Sequence, residues 1–328
     1  MLPSDGAVLA DARRLAEQLR GTPPPPMPRN LRRADLAELD SADYLCAPKT
    51  DGERVALVLG ADEATDKEYM VAFDRAMRGT VLPLSPGVIH ELQNAGVRGP
   101  SPTDVFCGTL LDAERIERAD APASSSSYVV FDATSVGGFD VRRLSFMGRL
   151  NAAAPFVDAL GDDVVLKHWH HPSVLERAYA MPGPPSDGLI LMPKDCGGTI
   201  FKWKPVHTLD FLFADDAWWV GGEGRRGQKE PLRSLGIEIA EEADEKEGAD
   251  PKRATGVYEC APDGRGVVAG RRLFRVLHRR PDKLAPNHKR VVASTLTSID
   301  EGLELAEVAA HFAPRRPPAK RQKNGSEE

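Results

Sequence analysis

The stretch Cys46-Ala47-Pro48-Lys49-Thr50-Asp51-Gly52-Glu53-Arg54 stands directly before the apolar run Val55-Ala56-Leu57-Val58-Leu59. A lysine in a polar turn just ahead of a buried strand, with Asp, Gly and Arg behind it, suits a nucleophile whose partners are fixed by the strand end. The same pattern also describes a solvated charged turn, since short motifs match by accident. A free lysine has a pKa of about 10.4, so fewer than about one amine in a thousand is neutral at pH 7. Lowering that pKa by two to three units costs the ammonium roughly 3 to 4 kcal/mol, which neighbouring cations and partial burial can supply. Arg54, Lys202 and Lys204 are the cations at hand. Such a cationic pocket would also hold polyphosphate.

Further residues with chemical capacity fall at the ends of apolar runs. Residues 106–111 read as a strand that delivers Asp112 and Glu114 at its end, as metal or ribose ligands or as plain acidic turn residues. Arg75 closes a second strand at 69–74, as a phosphate contact or a turn charge. In the strand at 128–133, Phe131 beside Asp132 could stack on a base or belong to the core. Residues 164–171 read as a strand running into His168, His170 and His171, which lack a cysteine or acid to complete a metal set. Asp187 leads the strand at 187–192. In the strand at 199–205 Lys202 and Lys204 share one face by period-two alternation, and a phosphate between them is the economical explanation.

These residues need a frame, and the composition supplies one. A chain of 328 residues with 41% hydrophobic content buries a full core and divides into two domains. No apolar run approaches membrane-spanning length and no signal pattern opens the chain, so a soluble intracellular protein is expected. Cys46, Cys107, Cys196 and Cys260 are scattered without a Cys-x-x-Cys pair, which argues against a disulfide scaffold or structural zinc. The net charge of −6 excludes a generally basic nucleic-acid coat.

Helical spacing of Val8, Leu9, Leu15 and Leu19 predicts a helix over 4–20 closed by Gly21, followed by a stiff connector at 23–26. Helices are also expected at 88–92, 150–160, 289–298 and 303–312, with a Gly/Pro-rich connection at 96–102, a serine loop at 124–127 and a linker at 182–185. Past residue 206 the texture changes to short apolar strands at 209–213, 218–220, 256–260 and 273–277, broken by a charged insert at 241–253. That pattern suggests a small antiparallel barrel. The expected division is 1–205, 206–313 and a disordered basic, Pro-rich tail at 314–328, which would serve as a nuclear address, an RNA-binding arm or a solubilising segment.

Taken in order, Lys-Thr-Asp-Gly-x-Arg, strand-Asp-x-Glu, Val-Phe-Asp-Ala, Asp-Gly-Leu-Ile, Phe-Lys-Trp-Lys-Pro and Arg-x-Asp-Lys-x-x-Pro-Asn resemble the covalent nucleotidyltransferases. The likeness spans residues 28–300 and is strongest to mRNA capping enzyme guanylyltransferases rather than polynucleotide ligases. It implies an α+β fold: a nucleotidyltransferase domain of antiparallel sheets with flanking helices, a C-terminal OB-fold barrel, and a cleft between them. It implies that Lys49 attacks the α-phosphate of GTP with Mg²⁺ or Mn²⁺, forms lysyl-N-GMP and passes GMP to the 5′-diphosphate end of RNA. By position, Thr50 and Arg54 would contact the ribose, Arg75 the phosphate region, and Glu114 the ribose or metal. Phe131 would stack on guanine, Lys167 would read it, and Asp187 would hold the divalent ion. Lys202 and Lys204 would grip the α-phosphate, and Arg280, Asp282 and Lys283 the β- and γ-phosphates when the barrel closes.

The resemblance further implies a separate RNA triphosphatase and cap methyltransferase as partners, no membrane, and a nuclear or viral setting. The chain departs from the family pattern at Ala113, where glycine is usual and a local turn would differ, at Phe274 for tryptophan, and at His278 for arginine. The last of these predicts weaker stabilisation of the pyrophosphate end, which His278→Arg should improve. Two alternatives stand beside this reading: an ATP-dependent RNA or DNA ligase using the same lysine, and a non-catalytic RNA-end-binding relative.

Overall fold

A computed structural model describes residues 3–21, 27–62, 64–98, 104–117, 126–223, 228–240 and 253–313. The connector at 23–26, most of the connection at 96–102, Ser124 and Ser125, nearly all of the insert at 241–253 and the tail at 314–328 lie outside them. The chain groups into two units that are not contiguous in sequence. One takes Met1–Arg29, Glu38–Lys202 and Ala306–Glu328, the other Asn30–Ala37 and Trp203–Leu305.

The first unit begins with α1 (Pro3–Arg20), followed by the two-residue β1 (Arg29–Asn30) and the short α2 (Arg33–Leu36), which belongs to the second unit. Then come β2 (Tyr44–Thr50), β3 (Glu53–Ala61), β4 (Glu68–Phe73), β5 (Gly79–Leu82), α3 (Pro86–Arg98), β6 (Thr109–Glu117) and β7 (Ser126–Val136). They continue with β8 (Phe139–Asp140), α4 (Phe146–Ala159), β9 (Val164–Leu166), α5 (Leu175–Ala180), β10 (Ser186–Pro193) and β11 (Phe201–Trp203). The larger sheet runs β5-β4-β3-β6-β7-β8, with β9 on β7, and is antiparallel except for the parallel β7–β9 pair.

Alternation divides the faces of this sheet. Val55, Leu57 and Leu59 of β3, Leu111 and Ala113 of β6 and Val130 of β7 pack with Leu92 of α3 and Ala153, Phe156 and Val157 of α4. On the opposite face α1 packs, its Ala12 and Ala16 meeting Val58, Val71, Phe73 and Leu110. Each fully buried Leu or Phe there contributes about 1.5–3 kcal/mol of transfer free energy. Beyond α1 that second face carries Arg54, Asp112 and Glu114, because they alternate with the buried residues of β3 and β6.

A smaller sheet runs β1-β11-β10-β2. Phe146 and Leu150 of α4 and Met192 of β10, with Leu45 and Ile190 around them, pack this sheet against the helix that also covers the larger one. β2 and β10 are antiparallel. β2 is an edge strand, so Pro48 is tolerated in it, its missing N–H breaking no ladder bond on the open side.

The second unit holds β12 (Leu209–Ala214), β13 (Ala217–Gly221), β14 (Lys229–Pro231), β15 (Ile237–Ile239), β16 (Gly256–Val268), β17 (Arg271–Arg279) and α6 (Lys289–Glu301). The strands order as β14-β13-β12-β16-β17-β15. Leu209, Phe211, Val220, Ile237, Cys260 and Phe274 form its core, closed by Val292, Leu296 and Ile299 of α6. Arg32 and Arg33 tie the N-terminal segment to α6 through Ser294 (2.7 Å) and Glu301 (3.0 Å). The last helix, α7 (Leu305–Phe312), carries His311, whose ring meets the Leu39 carbonyl at 2.8 Å.

Several expectations are corrected here. The strands expected to form an antiparallel barrel make one six-stranded sheet that is not all antiparallel, since β15 pairs with β17 in parallel. β14 and β15 escape the sequence pattern because each is three residues long and neither is a continuous apolar run. The strand at 106–111 is a 3-10 turn (Val105–Cys107) followed by β6. Ser126 and Ser127 open β7 rather than a loop. The strand at 164–171 stops at Leu166, and that at 199–205 covers Phe201–Trp203 alone. All four cysteines are free.

Candidate active site

Lys49 does not lie in a turn. It is the penultimate residue of β2, and the polar turn is Asp51–Gly52, which carries the chain from the smaller sheet into β3 of the larger. The turn is tight: a Cβ on Gly52 would stand 2.6 Å from the Arg115 carbonyl oxygen, and the Asp51 N–H donates to the Pro185 carbonyl at 2.7 Å. Lys49 therefore sits where the two sheets join.

Across from it, the β2–β10 register shifts. Ser186 pairs with Thr50 and Leu189 with Pro48, so Asp187 and Gly188 together oppose Lys49. Such a bulge re-aims a side chain. Here it delivers the Asp187 carboxylate to the Lys49 Nζ at 2.8 Å, an ion pair with side chains 20% and 28% exposed.

Lys167 reaches the same place by a route invisible in its spacing. β9 lies on β7, and the chain then runs along the open edge of β2, where His170 and Cys46 exchange backbone hydrogen bonds of 2.8 Å. Antiparallel travel from that bridge puts Lys167 at the Thr50 end, where its Nζ donates to the buried Thr50 hydroxyl. The histidines of this stretch are thus accounted for in part: His170 bridges by its backbone, and the His171 ring accepts the Ser173 N–H at 3.2 Å. Burial pushes the Lys167 ammonium down to about 8; Glu114 opposes that shift and Lys49 adds to it.

Glu114 lies midway along β6, opposite Arg54 on β3, not at a strand end. Burial raises its pKa, with Lys49 and Lys167 pulling the other way. Its Oε2 is buried and has no hydrogen-bond partner among the described residues. An acceptor left this way suits a ligand hydroxyl or a hard cation. Among the described residues no group of three or more His, Cys, Asp and Glu gathers as a metal site. Glu114 and Asp187 remain as two carboxylates at one centre, a donor set that fits a magnesium-like ion completed by water and substrate phosphate.

Arg54 was expected to bear on Lys49 as a cation, and the structure corrects this. Its guanidinium is clamped by Asp112, Nε to Oδ1 at 2.8 Å and Nη2 to Oδ2 at 2.5 Å, so Asp112 is a counter-charge and not a free ligand. Burial works against the Arg54 charge, but the Asp112 hydrogen bonds and charge overcome it and hold the pKa above its ordinary value. The guanidinium lies over the Phe131 ring, 5.5 Å from its centroid. Phe131 is itself a bulged residue, because Asp112 pairs with Asp132 and Ala113 with Val130. Ala113 also needs correcting: it occupies no turn, and its methyl is fully buried in the sheet core. The β3–β4 register, Ala56 opposite Phe73, carries exposed Arg75 toward the end of the sheet where Arg54 stands, one residue after β3 begins.

Lys202 lies on β11, with Phe201 and Trp203 buried to either side of it, as alternation requires. β11 neighbours β10, so Lys202 shares the smaller sheet with Lys49 and Asp187. Lys204 follows the strand end, in the second unit.

Arg280, Asp282 and Lys283 form a cluster of their own in the second unit. Arg280 meets Asp282 at 2.7 Å and Glu259 at 2.8 Å, and Lys283 meets buried Asp210 at 2.7 Å. The Asp282 hydrogen bond, with Asp210 and Glu259, raises the Arg280 pKa against burial. Asn287 fastens the segment by exchanging bonds of 2.8 Å with Asp210. His278 lies 3.6 Å from Glu259, and Phe274 fills the core edge-on to Phe211. Arg149, Asp210 and Glu259 were not singled out from sequence, since each meets its partner only through tertiary packing or strand register, which no local spacing signals.

Residues 10–174 match the family model described as mRNA capping enzyme, catalytic domain. No curated protein matches the chain. Among solved structures, the ligase domain of M. tuberculosis LigD is similar at 14% identity, with 75% of this chain and 92% of that chain covered and a TM-score of 0.34. An archaeal ATP-dependent RNA ligase shows 16% identity, coverage of 55% and 47%, and a TM-score of 0.32. A Naegleria gruberi RNA ligase solved with AMP and Mn shows 14% identity, coverage of 54% and 56%, and a TM-score of 0.28. Likeness at this level is no guide to activity.

Proposed function

Because the chain belongs to the mRNA capping enzyme catalytic-domain family, we propose that it is a GTP-dependent mRNA guanylyltransferase in which Lys49 is the nucleophile. The observation that carries this reading is the placement of the Lys49 amine at the junction of two sheets, held by Asp187 and coupled to Glu114 and Lys167.

In the first step the neutral Lys49 amine attacks the α-phosphorus of GTP, a P–N bond forms, the bond to the bridging oxygen breaks, and pyrophosphate leaves. The attack needs the amine's lone pair, so the Asp187 contact must be released or must carry the proton away. In the second step an oxygen of the RNA 5′-diphosphate attacks the same phosphorus, the P–N bond breaks, and Lys49 regains a proton. Thr50 and Arg54 orient the ribose, Phe131 stacks on the base, Lys167 contributes to base recognition, and Lys202 and Lys204 draw on the α-phosphate. Arg75 contacts the phosphate region, and Arg280, Asp282 and Lys283 are assigned by resemblance to the polyphosphate end.

Asp187 and Glu114 would hold a Mg²⁺ or Mn²⁺ ion, which supplies charge neutralisation at the phosphates. An RNA triphosphatase would produce the diphosphate end and a cap methyltransferase would act on the product. The setting would be a nucleus or a viral replication compartment. Among the described residues, no helix is long and apolar enough to cross a membrane.

The test is incubation with α-labelled GTP or ATP and a divalent ion, then denaturation, then chase with 5′-diphosphate RNA. Label from GTP that passes to RNA supports the proposal. Label from ATP alone makes the chain a ligase-type adenylyltransferase, and no label from either leaves a non-catalytic relative.

A further inference from the structure

The β6–β7 register sets two carboxylates, Asp112 and Asp132, directly opposite one another. Like charges so placed repel. Each is neutralised from outside the pair by a two-pronged arginine. Arg54 takes Asp112 from β3, and Arg149 takes Asp132 from α4, Nε to Oδ1 at 2.7 Å and Nη2 to Oδ2 at 3.0 Å.

Arg149 is itself fixed. Its Nη1 donates to the Leu144 carbonyl at 3.1 Å, its guanidinium lies over Phe146 at 5.3 Å, and its side chain is only 12% exposed. The carboxylate it holds also accepts the Ala133 N–H at 2.8 Å, so Asp132 pins the backbone on one side of the Phe131 bulge. Burial raises the Asp132 pKa and Arg149 restrains that rise. Without Arg149, Asp132 would compete with Asp112 for Arg54 or take up a proton, and either change would loosen both Phe131 and Arg54.

We propose that Arg149 is a positioning residue for the nucleotide: through Asp132 it sets the Phe131 bulge, and across the strand pair it leaves the Arg54 fork to be held by Asp112. This rests on the reading of Phe131 and Arg54 as base and ribose contacts given above. The charges that act most on Glu114 and Lys167 are Lys49, Asp187, Asp51 and one another, whereas the Arg149 guanidinium is engaged by Asp132. Its loss should therefore weaken nucleotide binding while sparing the chemical step.

The experiment compares the parent with Arg149→Met and Arg149→Lys by calorimetric titration with GTP, by the rate of label uptake against GTP concentration, and by thermal unfolding. In Arg149→Met, Kd and KM for GTP should rise about tenfold with kcat within about twofold, the usual cost of removing a supporting partner. Arg149→Lys keeps the charge but loses the fork, and should recover part of the affinity at parental unfolding temperature. Should Arg149→Met not fold, the lysine variant alone should still show a KM raised severalfold. Parental Kd and KM in a folded variant overturn the inference, as does a loss confined to kcat. A parent that binds GTP without taking label refutes the transfer reading only, and the inference is then judged on Kd. A parent that binds neither GTP nor ATP refutes both.

Discussion

The Lys49 ammonium nitrogen and the Asp187 carboxylate lie 2.8 Å apart, joining the end of β2 to a bulge in β10. Because the pair is partly exposed, its direct worth to stability is within about 1 kcal/mol. Asp187→Asn should therefore unfold in urea at nearly the parental midpoint. Its label uptake should fall by about a hundredfold or more, the scale seen when one preorganised charge is removed from a reaction centre. Equal losses of stability and rate would instead make Asp187 a structural residue.

Gly52 should not tolerate a side chain. The added methyl of Gly52→Ala would meet the Arg115 carbonyl at 2.6 Å, a backbone atom that cannot turn aside. Relief requires moving the Asp51–Gly52 turn, at about 1–3 kcal/mol. A lower denaturation midpoint with a disproportionate loss of labelling is expected, because the same turn fixes Lys49. An unchanged midpoint would show that the turn has room to give.

Lys167 makes stability depend on pH in a stated direction. Its folded pKa of about 8 lies below the ordinary 10.5, so the unfolded chain binds more protons between those values. Stability associated with this residue is thus fully present above about pH 10.5 and is lost as pH falls through about 8. Lys167→Met should remove that slope and be more stable than the parent at pH 7, by up to about 3 kcal/mol. Chemical denaturation at pH 7, 8, 9 and 10 checks it. A parental slope retained in the variant would place the titration elsewhere.

The sequence made some of this legible and hid the rest for physical reasons. α1 followed from its 3.6-residue spacing and from Gly21, whose φ of +59° suits a helix stop. The buried run behind Lys49 and the alternation around Lys202 were equally plain, because strand period is local. What no local pattern carries is register. The bulges that aim Asp187 at Lys49 and raise Phe131 out of the ladder exist only once two strands pair. The same holds for Arg54, which looked like a free cation beside Lys49 until its partner on β6 was known. Lys167 could be assigned by resemblance, yet its route along the edge of β2 depends on a single backbone bridge between His170 and Cys46.

The most direct test is to identify the atom that carries the nucleotide. Protein incubated with GTP and a divalent ion should be digested and the adduct located by mass spectrometry, with Lys49→Arg in parallel. The account predicts guanylate on the Lys49 side chain through an acid-labile P–N bond, and none in Lys49→Arg. An adduct on another residue, or one that survives in Lys49→Arg, would contradict it.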